Sequence, residues 1–263
     1  MNLAYASDLH FEYHREDPSW LPALPENADV LVLAGDIDSG ANAIDSVRRL
    51  SDALPNTDII YVAGNHEFYN QNYEKLLKTY RREFAKLHRV HFLEKESLEL
   101  HGVTFLGCTL WSGFETFPEF PLRDSMNVAD RYIPDFRLIR TDLNDGLSDT
   151  LSPTRMKHLY DSSHNWLDQM LSNSNPERTV VISHFPPHPQ LRHGKIPHGI
   201  LSNYFTADCQ DIIEKHQPVL WIYGHNHWCD EMTCGATRLV SNQLGYPQEK
   251  GEIREYTPRS VQL

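Results

Sequence analysis

The chain has 263 residues, which is enough for one large α/β domain or two small ones with a sizeable core. Apolar residues make up 40% and charged residues 23%, an ordinary composition for a globular protein, and the formal net charge of −12 weakens the case for a long nucleic acid as partner. No apolar run reaches the ~20 residues of a membrane span. The first residues also lack the pattern of a signal peptide. We therefore expect a cytoplasmic protein with no membrane partner.

The cysteines stand at Cys108, Cys209, Cys229 and Cys234. No pair has the C-x-x-C spacing of a cysteine zinc site. Cys229 and Cys234 are close enough in sequence to meet across a hairpin. In a cytoplasmic chain of this size we expect free thiols.

Six short apolar runs, rich in branched and aromatic residues, predict buried β-strands. They cover residues 2–7, 28–35, 58–64, 103–111, 178–183 and 218–224. Segments with apolar spacing near 3.6 predict helices at 41–54, 72–87, 156–171 and 206–216, the last with Thr206 as its cap. Residues 229–242 favour a β-hairpin that turns near Gly235. This alternation of strands and helices favours an α/β layered fold with a largely parallel sheet core.

Two segments do not follow this alternation. Residues 112–155 have weak periodicity and several prolines, and we interpret them as an irregular insertion, within a single domain over 1–263, that could cover one end of the sheet. Residues 185–203 form a long stretch rich in Pro, Gly and His. Loops of this length in a compact domain are often functional.

Five predicted strands end directly before a residue that could bind a metal. The residues that follow them are Asp8 and His10, Asp36, Asn65 and His66, His184, and His225 and His227. In an open α/β sheet the ligand crevice lies outside the carboxyl ends of the strands. Any one of these residues alone is more often a turn former or a surface side chain. Their repetition at five strand ends favours one shared site.

Carboxylate, amide and imidazole ligands suit Mn, Fe or Zn, and the lack of thiolate argues against a soft-metal site. Seven ligands exceed one tetrahedral zinc but fit two adjacent metals with one shared carboxylate. In extended segments, the D-x-H and H-x-H spacings place alternate side chains on the same side. His225 and His227 can therefore face the same way and serve different metals.

The ordered motifs D-x-H at 8–10, G-D at 35–36, G-N-H-E at 64–67, a lone His184 and G-H-x-H at 224–227 resemble the calcineurin-like metallophosphoesterase superfamily. The stretch from 220 to 247 further resembles a group of bacterial predicted phosphoesterases. The resemblance implies a first metal held by Asp8, His10, Asp36 and His227. It implies a second metal held by Asp36, Asn65, His184 and His225, and His66 as the catalytic histidine that protonates the leaving oxygen.

The same resemblance implies a four-layer α/β/β/α sandwich with two mixed β-sheets. Two adjacent metals can clamp a phosphoryl group and lower the pKa of a bridging water. We therefore expect hydrolysis of a phosphate mono- or diester of a small molecule or nucleotide by a metal-bridging hydroxide. Relatives often have Asn-Pro-Arg-Gly-Tyr where this chain has Asn242 to Tyr246 without arginine. That departure leaves one substrate contact in doubt.

Several further residues are candidates for supporting roles. Arg137 in the insertion is a candidate for phosphate contact, as are Arg192, Lys195 and His198 in the long loop. Each alone is more often a solvated charge. Asp38 and Glu67 lie one or two residues from expected ligands and could orient them. For Asp38, a turn residue at a helix start is an equally good interpretation.

Three other functions remain open. A Ser/Thr protein phosphatase is one alternative, although no feature for docking peptides is visible. A nuclease is another, and the acidic balance counts mildly against it. A non-catalytic metal-binding scaffold is a third, and it is disfavoured because every expected ligand and His66 are present.

Overall fold

The computed structural model describes residues 1–142, 147–249 and 256–263 of the chain. The amino-terminal half of this part contributes the strands β1 (Asn2–Ala6), β2 (Val30–Ala34), β3 (Asp58–Val62), β4 (Val90–Phe92), β5 (Glu96–Leu100) and β6 (Val103–Cys108). The remaining strands are β7 (Arg140–Asp142), β8 (Ser148–Thr150), β9 (Thr179–Ser183), β10 (Leu220–Tyr223), β11 (Met232–Cys234), β12 (Thr237–Ser241) and β13 (Arg259–Gln262).

α-Helices lie between several of these strands. Four lie in the first part of the chain: α1 (Asn42–Ala53), α2 (Tyr73–Phe84), α3 (Leu122–Tyr132) and α4 (Asp135–Leu138). The others are α5 (Pro153–Leu171), α6 (Ser202–Phe205) and α7 (Gln210–His216). Among the described residues, none of these helices is both long enough and apolar enough to span a bilayer.

Two mixed sheets form the centre of the fold. The first has the order β13-β1-β2-β3-β4, with β13 antiparallel to its neighbour and the rest parallel. The second has the order β11-β12-β10-β9-β6-β5, with both edge strands antiparallel and four parallel strands between them. The expected hairpin at 229–242 is the β11–β12 pair, with Gly235 in the turn at a φ of 59°.

Successive side chains of the buried strands point to opposite faces of each sheet, and this alternation explains how the sheets and helices form layers. Val30 and Val32 of β2 pack in one apolar cluster with Val180 and Ile182 of β9, so these faces of the two sheets meet. The intervening Leu31 and Leu33 join a second cluster with side chains of α1, including Val47 and Leu50. Both faces of each central strand are therefore buried, which is why these strands are continuously apolar. The four-layer α/β/β/α fold with two mixed sheets is confirmed.

Three expectations about local structure need correction. The segment 112–155 is not wholly irregular, since its described residues contain α3, α4 and the small β7–β8 ribbon. Helix α5 begins earlier than expected, with Pro153 at its first turn and the Ser152 hydroxyl accepting from the backbone N–H of Arg155. Thr206 does not cap α7, which begins at Gln210 after Cys209. Cys108, Cys209 and Cys234 are free thiols, as expected.

Candidate active site

The carboxyl ends of five strands meet at one edge of the two sheets. Their terminal residues bring together the side chains expected from the sequence: Asp8, His10, Asp36, Asn65, His66, His184, His225 and His227. All eight are buried. The parallel register of β1, β2 and β3, and of β9 and β10, produces this convergence because equivalent ends lie side by side.

Asp8, His10 and His227 form one group whose ligand atoms all lie within 4.8 Å of one another, close enough to hold a metal ion. Nε2 of His10 lies 3.0 Å from Nε2 of His227. Nε2 of His227 lies 3.5 Å from Oδ1 of Asp8. The Asp8 carboxylate also accepts the backbone N–H of His225 at 3.0 and 3.1 Å, which ties β1 to the end of β10.

Asp36, His184 and His225 form a second group of the same kind. Nε2 of His184 lies 3.4 Å from Oδ2 of Asp36. Oδ1 of Asn65 lies 3.1 Å from Nε2 of His184 and 3.1 Å from Nδ1 of His225. Two imidazoles therefore converge on one amide oxygen beside a carboxylate.

Asp36 lies between the two groups. Its Oδ2 is 4.0 Å from Nε2 of His10 in the first group and 3.4 Å from Nε2 of His184 in the second. Its Oδ1 accepts the backbone N–H of His66 at 2.9 Å. The geometry thus permits one carboxylate to serve both groups.

Left-handed backbone conformations place these side chains. Asp8 has a φ of 53°, Asp36 of 52° and His225 of 81°, and His10 and His227 share this region. Such conformations cost on the order of 1–3 kcal/mol each for residues other than glycine. The surrounding strands therefore hold the site in a strained arrangement, which is typical of functional sites.

Glycines beside the site allow its close packing. A Cβ at Gly64 would overlap the Asp36 carboxylate and lie 2.7 Å from Nε2 of His184. A Cβ at Gly224 would lie 2.7 Å from Oδ2 of Asp8. The glycines of G-N-H-E and G-H-x-H are therefore required by space.

Negative charge dominates the electrostatics of the site. Burial would raise the pKa of Asp36, but the His184, His66 and His10 imidazoles hold it well below its usual range. Burial would lower the pKa values of the histidines, but Asp36 raises the pKa of His184 to about 9, and Asp8 with Glu249 raises that of His227 to about 10. The carboxylates therefore favour positive charge at His184 and His227, whereas burial lowers the pKa of His225.

Glu12 contacts two of the histidines. Its Oε1 lies 2.9 Å from Nδ1 of His10 and 3.2 Å from Nδ1 of His66. Burial would raise the pKa of Glu12, but hydrogen bonds with these two imidazoles lower it to about 2. On the other side of the His66 ring, Nε2 lies 3.0 Å from the hydroxyl of Tyr246. His66 is thus oriented through both ring nitrogens.

Asp135 fixes the orientation of Asn65. Its Oδ1 accepts from Nδ2 of Asn65 at 3.0 Å and from the Tyr69 hydroxyl at 2.8 Å, and its Oδ2 accepts from the Tyr204 hydroxyl at 2.7 Å. With the amide nitrogen held by Asp135, the amide oxygen faces His184 and His225. Asp135 comes from α4, so the segment 112–155 contributes directly to the site.

Two further carboxylates support the site. Oε2 of Glu249 lies 2.7 Å from Nδ1 of His227 and orients that ring. Glu67 accepts the backbone N–H groups of Asp36, Ile37 and Gly64 and the Tyr61 hydroxyl. It therefore holds the loop that carries Asp36.

The contacts of Asp38 distinguish a residue that orients a ligand from a turn residue at the start of a helix. Asp38 accepts from Arg15, from the Ser46 hydroxyl and from the backbone of Ser39 at 2.5–2.7 Å. Its partners are therefore Ser46 of α1, the Ser39 backbone just before that helix, and the half-exposed Arg15. These contacts favour the role of a turn residue at the start of the helix. Glu67, in contrast, contacts the backbone of Asp36 itself.

A cavity of about 720 Å³ opens next to the two groups and includes Asp36, Asn65 and His66 in its lining. Of the four candidates for phosphate contact, Arg192 lies in this lining. Arg137 instead donates to the Arg131 carbonyl at 3.0 Å, and Nε2 of His198 lies 2.6 Å from Oε1 of Glu119. Lys195 lies over the Trp228 ring at 5.6 Å.

The sequence interpretation missed four residues of the site, namely Glu12, Asp135, Tyr246 and Glu249. Glu12 continues the period-two pattern of D-x-H, so the stretch D-x-H-x-E contained a usable signal. Tyr246 is the last residue of the stretch from Asn242 that lacks the arginine of relatives. Asp135 and Glu249 lie in segments without a motif, and only the fold brings them to the site.

Comparisons with known proteins agree with this geometry. The calcineurin-like phosphoesterase family matches residues 1–229. An uncharacterized protein of Acanthamoeba polyphaga mimivirus is 28% identical over 286 residues, covering 97% of this chain and 94% of that protein.

Solved structures share the fold. The phosphopantetheinyl hydrolase of Mycobacterium tuberculosis superposes with a TM-score of 0.71 at 21% identity, covering 99% of this chain and 95% of that one. A Thermus thermophilus protein superposes with a TM-score of 0.50 at 14% identity, covering 99% and 97%. The family match spans most of the chain, including every motif from Asp8 to His227. The chain therefore belongs to the calcineurin-like phosphoesterase family and is a phosphoric ester hydrolase.

Proposed function

We propose that the chain hydrolyses a phosphate mono- or diester of a small molecule or nucleotide at a dinuclear metal centre. The first ion would be held by Asp8, His10, Asp36 and His227. The second would be held by Asp36, Asn65, His184 and His225. The observation that carries this proposal is the position of Asp36, whose Oδ2 lies within 4.0 Å of an imidazole nitrogen of each group.

The donors fit such a centre in chemistry as well as in position. Carboxylate, amide and imidazole donors suit Mn, Fe or Zn, and no cysteine belongs to either group. Nε2 of the buried His225 has no hydrogen-bond partner among the described residues, a state that costs free energy unless another ligand contacts it. Two such ions, when bound, neutralise the phosphoryl oxygens and activate the attacking water.

The residues of the chain have separate tasks around the phosphate. His66 lines the cavity and its Nδ1 is held by Glu12, which supports a role as the donor of a proton to the leaving oxygen. Glu67 and Asp135 keep Asp36 and Asn65 in position. The presence of Arg192 in the lining supports its proposed contact with a phosphoryl oxygen or a nearby polar group of the substrate.

Two alternatives receive less support. A Ser/Thr protein phosphatase would use the same chemistry. The described lining of the cavity offers no feature that favours a phosphopeptide over a small phosphate ester. A non-catalytic scaffold does not require His66 to be held through both ring nitrogens beside Asp36. Cytoplasmic localisation stays a prediction from the sequence.

The test is metal reconstitution with two readouts. The metal-free chain is loaded separately with Mn, Fe, Zn or Mg, and hydrolysis of bis-p-nitrophenyl phosphate and p-nitrophenyl phosphate is measured beside the bound metal content. We expect metal-dependent turnover that is lost in Asp36→Asn and in His66→Ala, with bound metal reduced only in Asp36→Asn. The exposed Asp45 and His88 provide matched controls as Asp45→Asn and His88→Ala. Two bound ions without turnover on any ester would contradict the proposal.

A further inference from the structure

One wall of the cavity beside the site is apolar. It is formed by residues at the end of α3 and by the loop that precedes and includes α6, a region that we name the apolar cleft. Its main side chains are Tyr132, Ile133, Ile196, Ile200, Leu201 and Phe205. The same cavity contains Asp36, Asn65 and His66, so a single small molecule can contact both the site and the apolar cleft.

Two side chains of the apolar cleft are unusually exposed. Tyr132 is 58% exposed and Ile196 is 54% exposed. They belong to a group of only five large apolar side chains with such exposure among the described residues, and they come from segments 64 positions apart. Apolar surface that two distant segments present to one cavity is typical of a binding site.

The charges around the cavity are few. Arg192 is the single Lys or Arg among the described residues of the lining, and its guanidinium already donates to the Ile196 carbonyl at 3.4 Å. Burial lowers the pKa of His193, which therefore adds little positive charge at neutral pH. Glu249 contributes a negative charge beside His227. Outside the lining, the Arg131 guanidinium lies 5.4 Å from the centre of the Tyr132 ring. Within the lining itself, a second phosphate group would find little compensation.

We infer that the substrate is a phosphate ester of an uncharged, largely aliphatic group, and that this group lies in the apolar cleft. This inference rests on the proposed phosphoesterase function. The phosphate would lie at Asp36 and His66, and the aliphatic part would cover Tyr132 and Ile196. A cavity of about 720 Å³ is in the range that accommodates a small ligand considerably larger than phosphate alone. Substrates with several phosphates are disfavoured by the same charges.

Calorimetric titration of the manganese-loaded chain with n-alkylphosphonates tests this inference directly. Methyl-, butyl- and hexylphosphonate share one head group and differ in apolar length. A buried methylene contributes roughly three- to four-fold in affinity. Hexylphosphonate should bind at least about 30-fold more tightly than methylphosphonate, which corresponds to the burial of about three of its five additional methylenes. Hexane-1,6-bisphosphonate, which has the same length and a second charge, should bind more weakly than hexylphosphonate.

Variants locate the effect. Tyr132→Ser with Ile196→Ser removes two exposed side chains, so it does not open a void in the core. In this double variant the advantage of hexyl- over methylphosphonate should fall several-fold. Leu147→Ser is the matched control, since Leu147 is also exposed but does not line the cavity.

The outcomes separate this inference from the proposed function. Equal affinity for methyl- and hexylphosphonate, or tighter binding of the bisphosphonate, would overturn the inference while leaving the phosphoesterase proposal intact. Tight binding of hexylphosphonate by a chain that hydrolyses no ester would support the apolar cleft and contradict the proposed function. An unchanged hexyl advantage in the double variant would place the aliphatic group elsewhere and overturn the inference.

Discussion

The hydroxyl of Tyr246 lies 3.0 Å from Nε2 of His66, and both residues line the cavity. The Tyr246 ring also packs at 4.4 Å from that of His227 and at 4.6 Å from that of His10. Tyr246, which lies between β12 and β13 in the chain, thus contacts histidines from three different strand ends. Its contact with His66 links the carboxyl-terminal part of the chain to the proposed proton donor.

Tyr246→Phe removes this hydroxyl and keeps the ring packing. The loss of one hydrogen bond to His66, about 1 kcal/mol, should lower kcat roughly five-fold on p-nitrophenyl esters, with bound metal unchanged. Steady-state kinetics and metal analysis measure the two quantities. Tyr13→Phe is the control, because Tyr13 is half exposed and contacts the Tyr246 ring. Wild-type kcat in Tyr246→Phe would show that this contact does not position His66.

Glu12→Gln tests the carboxylate shared by His10 and His66. Glutamine keeps the size of the side chain but cannot accept from both imidazoles with a full negative charge, so both rings lose orientation. We expect activity to fall about 10- to 100-fold with some loss of metal. The exposed Glu16 serves as a matched control in Glu16→Gln. Activity within two-fold of wild type would show that Glu12 does not orient His10 and His66 for activity.

Asp135→Asn tests how the amide of Asn65 is oriented. The new amide group places an NH₂ where a carboxylate oxygen accepted from Asn65 or a tyrosine. Asn65 should then turn its oxygen away from His184 and His225, and affinity for the second ion should fall about 10- to 100-fold. Metal titration would detect one tight and one weakened site. Two unchanged affinities would contradict the role, and Asp130→Asn on the exposed part of α3 is the control.

Glu94 is not one of the candidate metal ligands, but its burial leads to a prediction about how the free energy of unfolding depends on pH. Thr109 donates to its Oε2 through the backbone N–H and the hydroxyl, while Oε1 is buried without a partner among the described residues. Burial raises the pKa of Glu94 despite these hydrogen bonds. The unfolded carboxyl ionises near pH ~4.3, so this group lowers the free energy of unfolding as pH rises above that value toward the folded pKa.

Glu94→Gln removes this titration. Relative to wild type, the variant should therefore gain stability as pH rises above ~4.3, because wild type alone loses stability through this group. Urea unfolding of the metal-free chain at several pH values measures the difference. The exposed Glu99 gives the control Glu99→Gln. A difference in unfolding free energy that stays constant with pH would contradict the raised pKa.

Much of the fold and of the site follows from local sequence. Asp8, Asp36, Asn65, His184 and His225 each follow a short apolar strand, and parallel strands place such ends together. The apolar strands predict the core because both faces of each are buried. The resemblance to phosphoesterases added the two mixed sheets and the assignment of His66.

The remaining features depend on contacts between distant segments. Asp135 meets Asn65 across 70 positions and Tyr246 meets His66 across 180. Neither pair has a fixed spacing that a sequence pattern could reveal. Helix α3 was missed because Pro121 and Pro134 flank it in a proline-containing segment, and because its fully buried residues, Ser125 and Ala129, are not large apolar side chains. The exposure of Tyr132 and Ile196 is likewise visible only in the folded chain.

A crystal structure of the manganese-loaded chain, with an anomalous difference map at the manganese edge, tests the central claim most directly. The account predicts two peaks, ~3.5–4 Å apart, on either side of the Asp36 carboxylate. One peak should be contacted by Asp8, His10 and His227, and the other by Asn65, His184 and His225. A single peak, or two peaks that do not share Asp36, would contradict the dinuclear centre.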